Sequence, residues 1–201
     1  MPMTSSGGER MKQSKIHLAV KEQTALLGEC LAGHGEGLER LAGELVAGFN
    51  QGGRLLLAGS GPLGTVAELV ADLFLYRLSF ERPSLPALAL GRDPSLAACM
   101  LRDGQGRAYF SRQLRALAGN NDLLLVLADS NRDEALLDLL PLARQLECKT
   151  ALIVPEGAPL AGEEVDFLFA LKTVAPTRLL DMGLFMGQML CELVEGELFG
   201  T

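Results

Sequence analysis

The chain has 201 residues, of which 48% are hydrophobic, and a formal net charge of −7 at pH 7. This length and composition can bury one sizeable core, which excludes low-complexity disorder for most of the chain. The acidic balance disfavours a nucleic-acid binder, which would need a basic patch. No apolar run approaches the roughly 20 residues of a membrane span, and residues 1–10 lack the apolar segment of a secretion signal. We therefore expect a cytoplasmic protein that binds neither nucleic acid nor a membrane.

The positions of the cysteines and histidines do not indicate a metal site, a redox pair or an imidazole base. The cysteines are far apart and form no CxxC pair; they are Cys30, Cys99, Cys148 and Cys191. We expect them to be reduced and buried as small hydrophobic residues. His17 and His34 both precede the first predicted strand, so the α/β part has no imidazole base or ligand of its own. We expect no metal and no cofactor.

The first 53 residues predict a helical arm. Residues 1–10 are expected to be disordered. Apolar residues then recur at helical spacing from about residue 9 to 31 and again from 37 to 49, with Gly33 and Gly35 breaking the pattern. Two helices ahead of the first strand cannot cover a sheet by themselves, so residues 11–53 are expected to pack against a partner subunit.

Residues 54–201 predict one α/β domain. Apolar segments typical of buried strands occur at 55–58, 87–90, 123–127, 150–154 and 165–171. Helical segments lie at 64–76, 94–101, 109–117, 133–146 and 177–198. Continuous apolar strands that alternate with amphipathic helices indicate a parallel sheet covered on both faces.

The loop after the first strand is the default ligand site, because ligands of open α/β sheets bind outside the carboxyl ends of the strands. Residues 59–64 (GSGPLG) match the GxGxxG pattern of dinucleotide-binding turns. The acidic residue expected about 20 positions later is missing, since Asp93 comes too late. We interpret the glycines mainly as the requirement of a tight turn.

Two further loops fall at the same edge of the sheet. In residues 128–134 (ADSNRDE), several side chains are good helix N-caps, and Asp133 and Glu134 bring negative charge to the first turn. A phosphate would meet like charge there, and only Arg132 favours an anion, so we predict a self-capped helix. The loop at 103–107 (DGQGR) is predicted to be a solvated connection.

Several segments resemble one known family. They are residues 81–90 (ERPSLPALAL), 110–113 (FSRQ) and 190–195 (LCELVE), with Asp93, Ser95, Leu96, Asp103, Ala116 and Leu117. They are similar to the sugar isomerase (SIS) domain family, and within it to the phosphoheptose isomerases and their replication-initiator-associating (DiaA-like) relatives. The resemblance extends from residue 12 to the end. It implies a three-layer αβα sandwich with a five-stranded parallel sheet of flavodoxin-like topology, and a homotetramer held by helical bundles.

The resemblance also assigns the phosphate-binding positions. The serine that binds the sugar phosphate in the first loop of the isomerases corresponds to Leu63, and a neighbouring asparagine to Ser60. Of the serines in the second phosphate loop, only Ser130 is kept. The ligand contacts that the resemblance leaves are Gly59, Ser60, Gly61, Ser130, Asn131 and Arg178.

The positions that correspond to catalytic residues of the isomerases also carry different residues in this chain. A metal-binding His and a Glu four residues later become Leu69 and Leu73, and a Gln and a His on the final helix become Leu180 and Gln188. Leucine cannot move a proton between adjacent carbons, so we interpret the leucines as core residues. The resemblance therefore implies a non-catalytic oligomeric scaffold or regulator of a partner protein, which in the DiaA-like branch would be the replication initiator.

Two alternatives stay open. One is an active sedoheptulose 7-phosphate isomerase with displaced catalytic residues. Its candidates are Glu68 and Asp72, which share a helix face, and Asp93; a solvated or subunit-facing surface is the simpler interpretation of the first two. The other is a sensor that binds a sugar phosphate without turning it over, through Ser60, Ser130 and Arg178.

Overall fold

A computed structural model of the chain describes residues 6–131 and 133–200, with side chains from Ser14 onward. Two sequence predictions therefore fall partly outside the described residues. They are the disorder of residues 1–5 and the role of Arg132 in the loop after the third strand.

Five parallel strands form one sheet with helices on both faces. The strands are β1 (Leu55–Gly59), β2 (Ala87–Ala89), β3 (Leu123–Leu127), β4 (Lys149–Pro155) and β5 (Phe167–Leu171), in the order β2-β1-β3-β4-β5. The helices are α1 (Ser6–Asn50), α2 (Leu63–Leu75), α3 (Pro94–Arg102), α4 (Tyr109–Leu117), α5 (Glu134–Leu137), α6 (Leu139–Gln145) and α7 (Pro176–Phe199). The predicted α/β sandwich is confirmed, and each predicted strand ends within two residues of the observed one.

The strands are apolar throughout because side chains on both faces are covered. Leu55 and Leu57 belong to a core cluster that includes residues of α1, α2 and α7. Leu56, which points to the opposite face, belongs to a second cluster that includes residues of α4, α5 and α6. The sheet therefore separates two helical layers, with α1, α2 and α7 on one side and α4, α5 and α6 on the other.

The N-terminal segment is one helix, α1, and the predicted break at Gly33 and Gly35 was wrong. Neither glycine has a positive φ. A helical glycine costs only about 1 kcal/mol, which the packing of the following turns outweighs. Residues 6–10, predicted to be disordered, form the first turns of the same helix.

The two ends of α1 have different surroundings. Leu41 and Leu45 are buried in the core that α1 shares with α2 and α7, so this half of the helix covers the chain's own sheet. The expectation that these turns could not cover the sheet by themselves is therefore corrected, while packing of α1 against a partner subunit stays a prediction. Near the other end, Ile16, Leu18 and Val20 are 57% to 64% exposed.

The predicted helix at 133–146 is divided into α5 and α6. Pro141 explains the division, because it has no amide hydrogen for the carbonyl of Leu137 and its ring would clash with that carbonyl. Among the described residues, no helix has both the length and the apolar character needed to cross a bilayer.

Candidate functional site

The candidate site lies at the carboxyl ends of β1 and β3. The strand order reverses at this point, since β2 lies on one side of β1 and β3 on the other. The loop that leaves β1 and the loop that leaves β3 are joined by a hydrogen bond from the amide of Asp129 to Ser60 Oγ, at 3.0 Å. Ser60 is buried, and this hydrogen bond already gives its hydroxyl oxygen a structural partner. No sequence pattern predicted this link between the two loops.

The glycines of the β1 loop are required by the backbone. A Cβ on Gly59 would lie 2.4 Å from the carbonyl oxygen of Leu63, and Gly61 has a φ of +47°. A side chain at either position would clash or strain the turn. The interpretation of these glycines as the requirement of a tight turn is thus supported by the geometry.

The amides at the start of α2 are hydrogen-bonded within the turn. Leu63, Gly64 and Thr65 donate to the carbonyl oxygens of Ser60, Gly61 and Pro62, at 2.9, 3.0 and 3.1 Å. In a phosphate-binding turn, such amides would point at the anion. Here they bond to the preceding carbonyl oxygens of the same turn, so the turn keeps its shape with few donors left for a ligand.

Leu63 fills the place of the phosphate-binding serine with a core side chain. It is only 5% exposed, and its Cδ2 lies 3.6 Å from the position that a Cβ of Gly183 would take. Leu127 Cδ2 lies 2.9 Å from the same position. Leu63 is therefore packed between the end of β3 and α7, and it offers a ligand no hydroxyl.

The loop after β3 is self-capped, as predicted. Asp129 Oδ1 accepts a hydrogen bond from the amide of Asn131 at 2.8 Å, and its Oδ2 accepts one from Asn131 Nδ2 at 2.9 Å. Asp133 caps α5 by accepting from the amide of Ala135 at 3.0 Å. Ser130 and Asn131 are exposed at the tip of the loop. Two carboxylates with backbone partners thus occupy the second phosphate-loop position.

Arg178 lies on α7 and is held against α1. Its Nη1 donates to Gln23 Oε1 at 2.6 Å and to Asp181 Oδ2 at 2.8 Å. The side chain helps to line a cavity of about 460 Å³ between α1 and the loop after β5, together with Glu22, Glu29 and Lys172 among others. Its hydrogen bonds are with α1 and its own helix, not with Ser60 or Ser130.

Three of the four positions aligned with the metal and acid-base residues carry leucine, and only the half-buried Gln188 is polar. Leu73 and Leu180 are half-buried and pack against the core shared by α1, α2 and α7, which supports their interpretation as core residues. Leu69 was interpreted in the same way, but it is 45% exposed because it lies on the outer side of α2. Among the described residues, no three His, Cys, Asp or Glu side chains lie close enough to hold a metal ion. The residues present do not fit the metal that the resemblance implies.

Two of the three displaced carboxylates have structural partners at the surface. Asp72 Oδ1 is 3.1 Å from Arg92 Nη1, and both side chains are about half exposed. Asp93 caps α3 by accepting from the amide of Leu96 at 2.9 Å. The half-buried Glu68 lies near Tyr109, and burial together with Asp93 and Glu68 raises the pKa of that phenol. These carboxylates form part of the surface beside β2, outside the β1–β3 crevice.

The cysteines are buried except for one. Cys30, Cys148 and Cys191 are buried as predicted, whereas Cys99 on α3 is exposed. Burial raises the pKa of Cys191 to about 12, with a further contribution from Glu195. The expectation that all four are buried was wrong for Cys99, because only Met100 in α3 faces the core.

Comparisons with known proteins agree with the fold and the family. The chain is 30% identical over 166 residues to the phosphoheptose isomerase of Burkholderia pseudomallei, which covers 81% of this chain and 83% of that one. It is 26% identical over 187 residues to the phosphoheptose isomerase of Thermodesulfovibrio yellowstonii, with 93% of each chain covered. A solved phosphoheptose isomerase from Francisella tularensis has a TM-score of 0.84 and 22% identity, covering 91% of this chain and 97% of that one. No protein-family model matches the chain.

Proposed function

Within the phosphoheptose isomerase family of SIS-domain proteins, to which this chain belongs, we propose that it is a non-catalytic member. It would act as an oligomeric scaffold or regulator of a partner protein. By resemblance to the DiaA-like branch, the candidate partner is the replication initiator.

The observation that carries this proposal is the apolar replacement on α2 and α7. Isomerisation of an aldose to a ketose needs a base that moves a proton between adjacent carbons. At the aligned positions, Leu73 and Leu180 are packed against the core and Leu69 has no ionisable group. A side chain of this kind can neither take up the proton nor hold a metal.

The phosphate loops support the same proposal. The first loop has Leu63 in the core and its helix-start amides bonded within the turn. The second carries Asp129 and Asp133, whose charges oppose an arriving phosphate. Tight binding of a sugar phosphate in the family's manner is therefore not expected.

A turnover assay tests the loss of catalysis. Purified protein loaded with Zn²⁺ is incubated with sedoheptulose 7-phosphate, with the Burkholderia pseudomallei isomerase as a positive control. We expect no product above a blank without protein. Metal-dependent turnover that is lost in Glu68→Gln or Asp72→Asn would overturn the proposal in favour of an isomerase with displaced residues. A rise in melting temperature with a sugar phosphate, without turnover, would instead favour the sensor.

Self-association is proposed for the apolar groove between α1 and α7. This groove has a volume of about 510 Å³ and is lined largely by apolar side chains, including Leu27, Leu31, Phe185, Met189 and Leu193. Leu31 is 76% exposed. Such a surface is typical of a protein interface, and a second copy of this chain, leading to the tetramer that the resemblance implies, is the proposed occupant.

Light scattering after gel filtration tests the assembly. We expect a tetramer that the double variant Leu31→Glu/Phe185→Glu converts into smaller species. Leu101→Glu is the matched control, because Leu101 is also strongly exposed but lies on α3. A monomeric wild-type protein would contradict the proposed assembly.

A further inference from the structure

Two arginines on the outer face of α4 have no carboxylate partner. Over residues 54–131 and 133–200, every other Lys or Arg side chain has a nitrogen within 4.0 Å of an Asp or Glu oxygen. Arg112 makes one long hydrogen bond of 3.5 Å to Gln105 Oε1, and Arg115 is exposed to solvent. The two guanidinium groups are therefore uncompensated charges within the described α/β body.

Two arginines without a carboxylate partner are unusual in a chain that has more acidic than basic side chains. The protein has 25 acidic and 18 basic side chains, so carboxylates are in excess. The neighbouring Arg107, in contrast, forms ion pairs with both Glu134 and Asp138. A small positive patch is thus left on an otherwise acidic molecule, and it will attract a negatively charged surface.

The patch has the shape of a shallow groove. Ala108, Ser111, Arg112, Arg115 and Ala116 line an open space of about 560 Å³. Their spacing along the chain places them on one side of α4, while Leu114 on the other side is fully buried. The small side chains of the two alanines, which flank the arginines, leave room for another backbone to approach this face.

We propose that this surface, the arginine face (Ala108, Ser111, Arg112, Arg115 and Ala116), is the docking site for an acidic helix of a partner protein. Arg112 and Arg115 are three residues apart, and carboxylates three or four residues apart on a second helix have the same spacing of about 5–6 Å. The planar guanidinium groups can bind carboxylates through two parallel hydrogen bonds. A nucleic acid fits less well, because two arginines on a molecule of charge −7 supply few of the phosphate contacts that such binding needs.

The position of α4 keeps the arginine face accessible when copies of the chain associate. It lies in the helical layer opposite to α1 and α7, so association through the α1–α7 groove would leave it exposed on every copy. Several copies of one docking face would strengthen binding to a multivalent partner. This use of the face rests on the proposed scaffold function, whereas binding of an acidic helix is tested separately.

Fluorescence anisotropy with a defined probe tests the docking site. The probe is a fluorescein-labelled, alanine-rich helical peptide of roughly 16 residues with glutamates at i, i+4 spacing on one face, and its control has glutamine at those positions. The protein variant is Arg112→Glu/Arg115→Glu. The control variant is Lys15→Glu/Lys21→Glu, which makes the same charge change at exposed positions of α1. Thermal unfolding checks that both variants are folded.

We expect the glutamate peptide to bind wild-type protein at low salt, the glutamine peptide not to bind, and the arginine variant to bind about tenfold more weakly than the control variant. Binding that is equally weakened in both variants, or absent at millimolar protein, would overturn the proposal. So would a duplex DNA probe that binds wild-type protein more tightly than the peptide and loses binding in the arginine variant. None of these outcomes depends on the turnover assay.

Discussion

The guanidinium of Arg82 and the carboxylate of Glu195 form a buried ion pair, with Nε and Oε1 2.6 Å apart and both side chains at most 3% exposed. Every N–H of the Arg82 guanidinium has an acceptor. Beyond Glu195, the acceptors are the carbonyl oxygens of Leu73, Phe74 and Pro83 and the sulfur of Cys191. Glu195 also accepts from the amide of Leu78 at 3.1 Å. The pair therefore closes the carboxyl end of α2 and fixes it to α7.

Removing one member of this pair should strongly destabilise the protein. Arg82→Met leaves Glu195 buried without its cation and should lower the free energy of unfolding by about 3–5 kcal/mol. Arg102→Met is the control, because Arg102 pairs with Asp103 at the surface and should change stability by less than about 1 kcal/mol. Urea unfolding at a fixed protein concentration measures both. Equal effects would show that the buried pair has no special role.

Two leucines of α2 should respond differently to truncation. Leu63→Ala removes a buried side chain beside Gly183 and should cost about 2–4 kcal/mol of unfolding free energy. Leu69→Ala changes a side chain that is largely exposed and should cost less than about 1 kcal/mol. Chemical denaturation of the two variants compares them directly. A mild effect of Leu63→Ala would mean that Leu63 is not part of the core and that the β1 turn has room for a ligand.

Replacing glycine with alanine should have opposite effects on stability at two helical positions. A Cβ on Gly187 would lie 2.3 Å from Val70 Cγ2, where α7 crosses α2, so Gly187→Ala should destabilise by about 1–3 kcal/mol. Gly33 in α1 has nothing within 4 Å of its Cβ position, so Gly33→Ala should stabilise by about 0.5–1 kcal/mol. The change in melting temperature of each variant shows whether it is stabilised or destabilised. A stabilising Gly187→Ala would contradict the close approach of the two helices.

The four thiols should react at different rates. Cys99 is exposed, whereas burial raises the pKa of Cys148 to about 11 and, with Glu195, that of Cys191 to about 12. Because raised pKa values leave almost no thiolate near pH 8, the buried thiols should be slow. Labelling of native protein with a disulfide reagent at pH 8 should give one fast equivalent.

The cysteine variants assign that fast phase. Cys99→Ser should abolish it, and Cys30→Ser should leave it unchanged. In denaturant all four thiols should react. A fast phase that persists in Cys99→Ser would show that a buried cysteine is accessible.

Local patterns were sufficient for most of the secondary structure. The strand at Leu123–Leu127 and the helix at Tyr109–Leu117 were predicted with their exact limits, because an apolar run or a helical period carries its own signal. The break at Gly33 was wrong because a glycine's local cost is small beside the packing of the turns on either side. Such packing depends on residues far away in the sequence.

The candidate site was predictable in position but not in detail. The glycines at 59 and 61 located the turn, and Asp133 signalled a cap. That Ser60 bonds to the amide of Asp129, and that Arg178 bonds to Gln23 of α1, depends on which loops and helices meet in space. The outward position of Leu69 was missed for the same reason.

Residue type and spacing were sufficient to predict the α/β class, the strand and helix order and the absence of ionisable groups at Leu69, Leu73 and Leu180. The compensation of the buried charges of Arg82 and Glu195, and the lack of carboxylate partners at Arg112 and Arg115, depend on the packing of the folded chain. Ion pairing requires two charges within a few ångströms, and residues far apart in the chain reach that distance only when the helices and the sheet pack together.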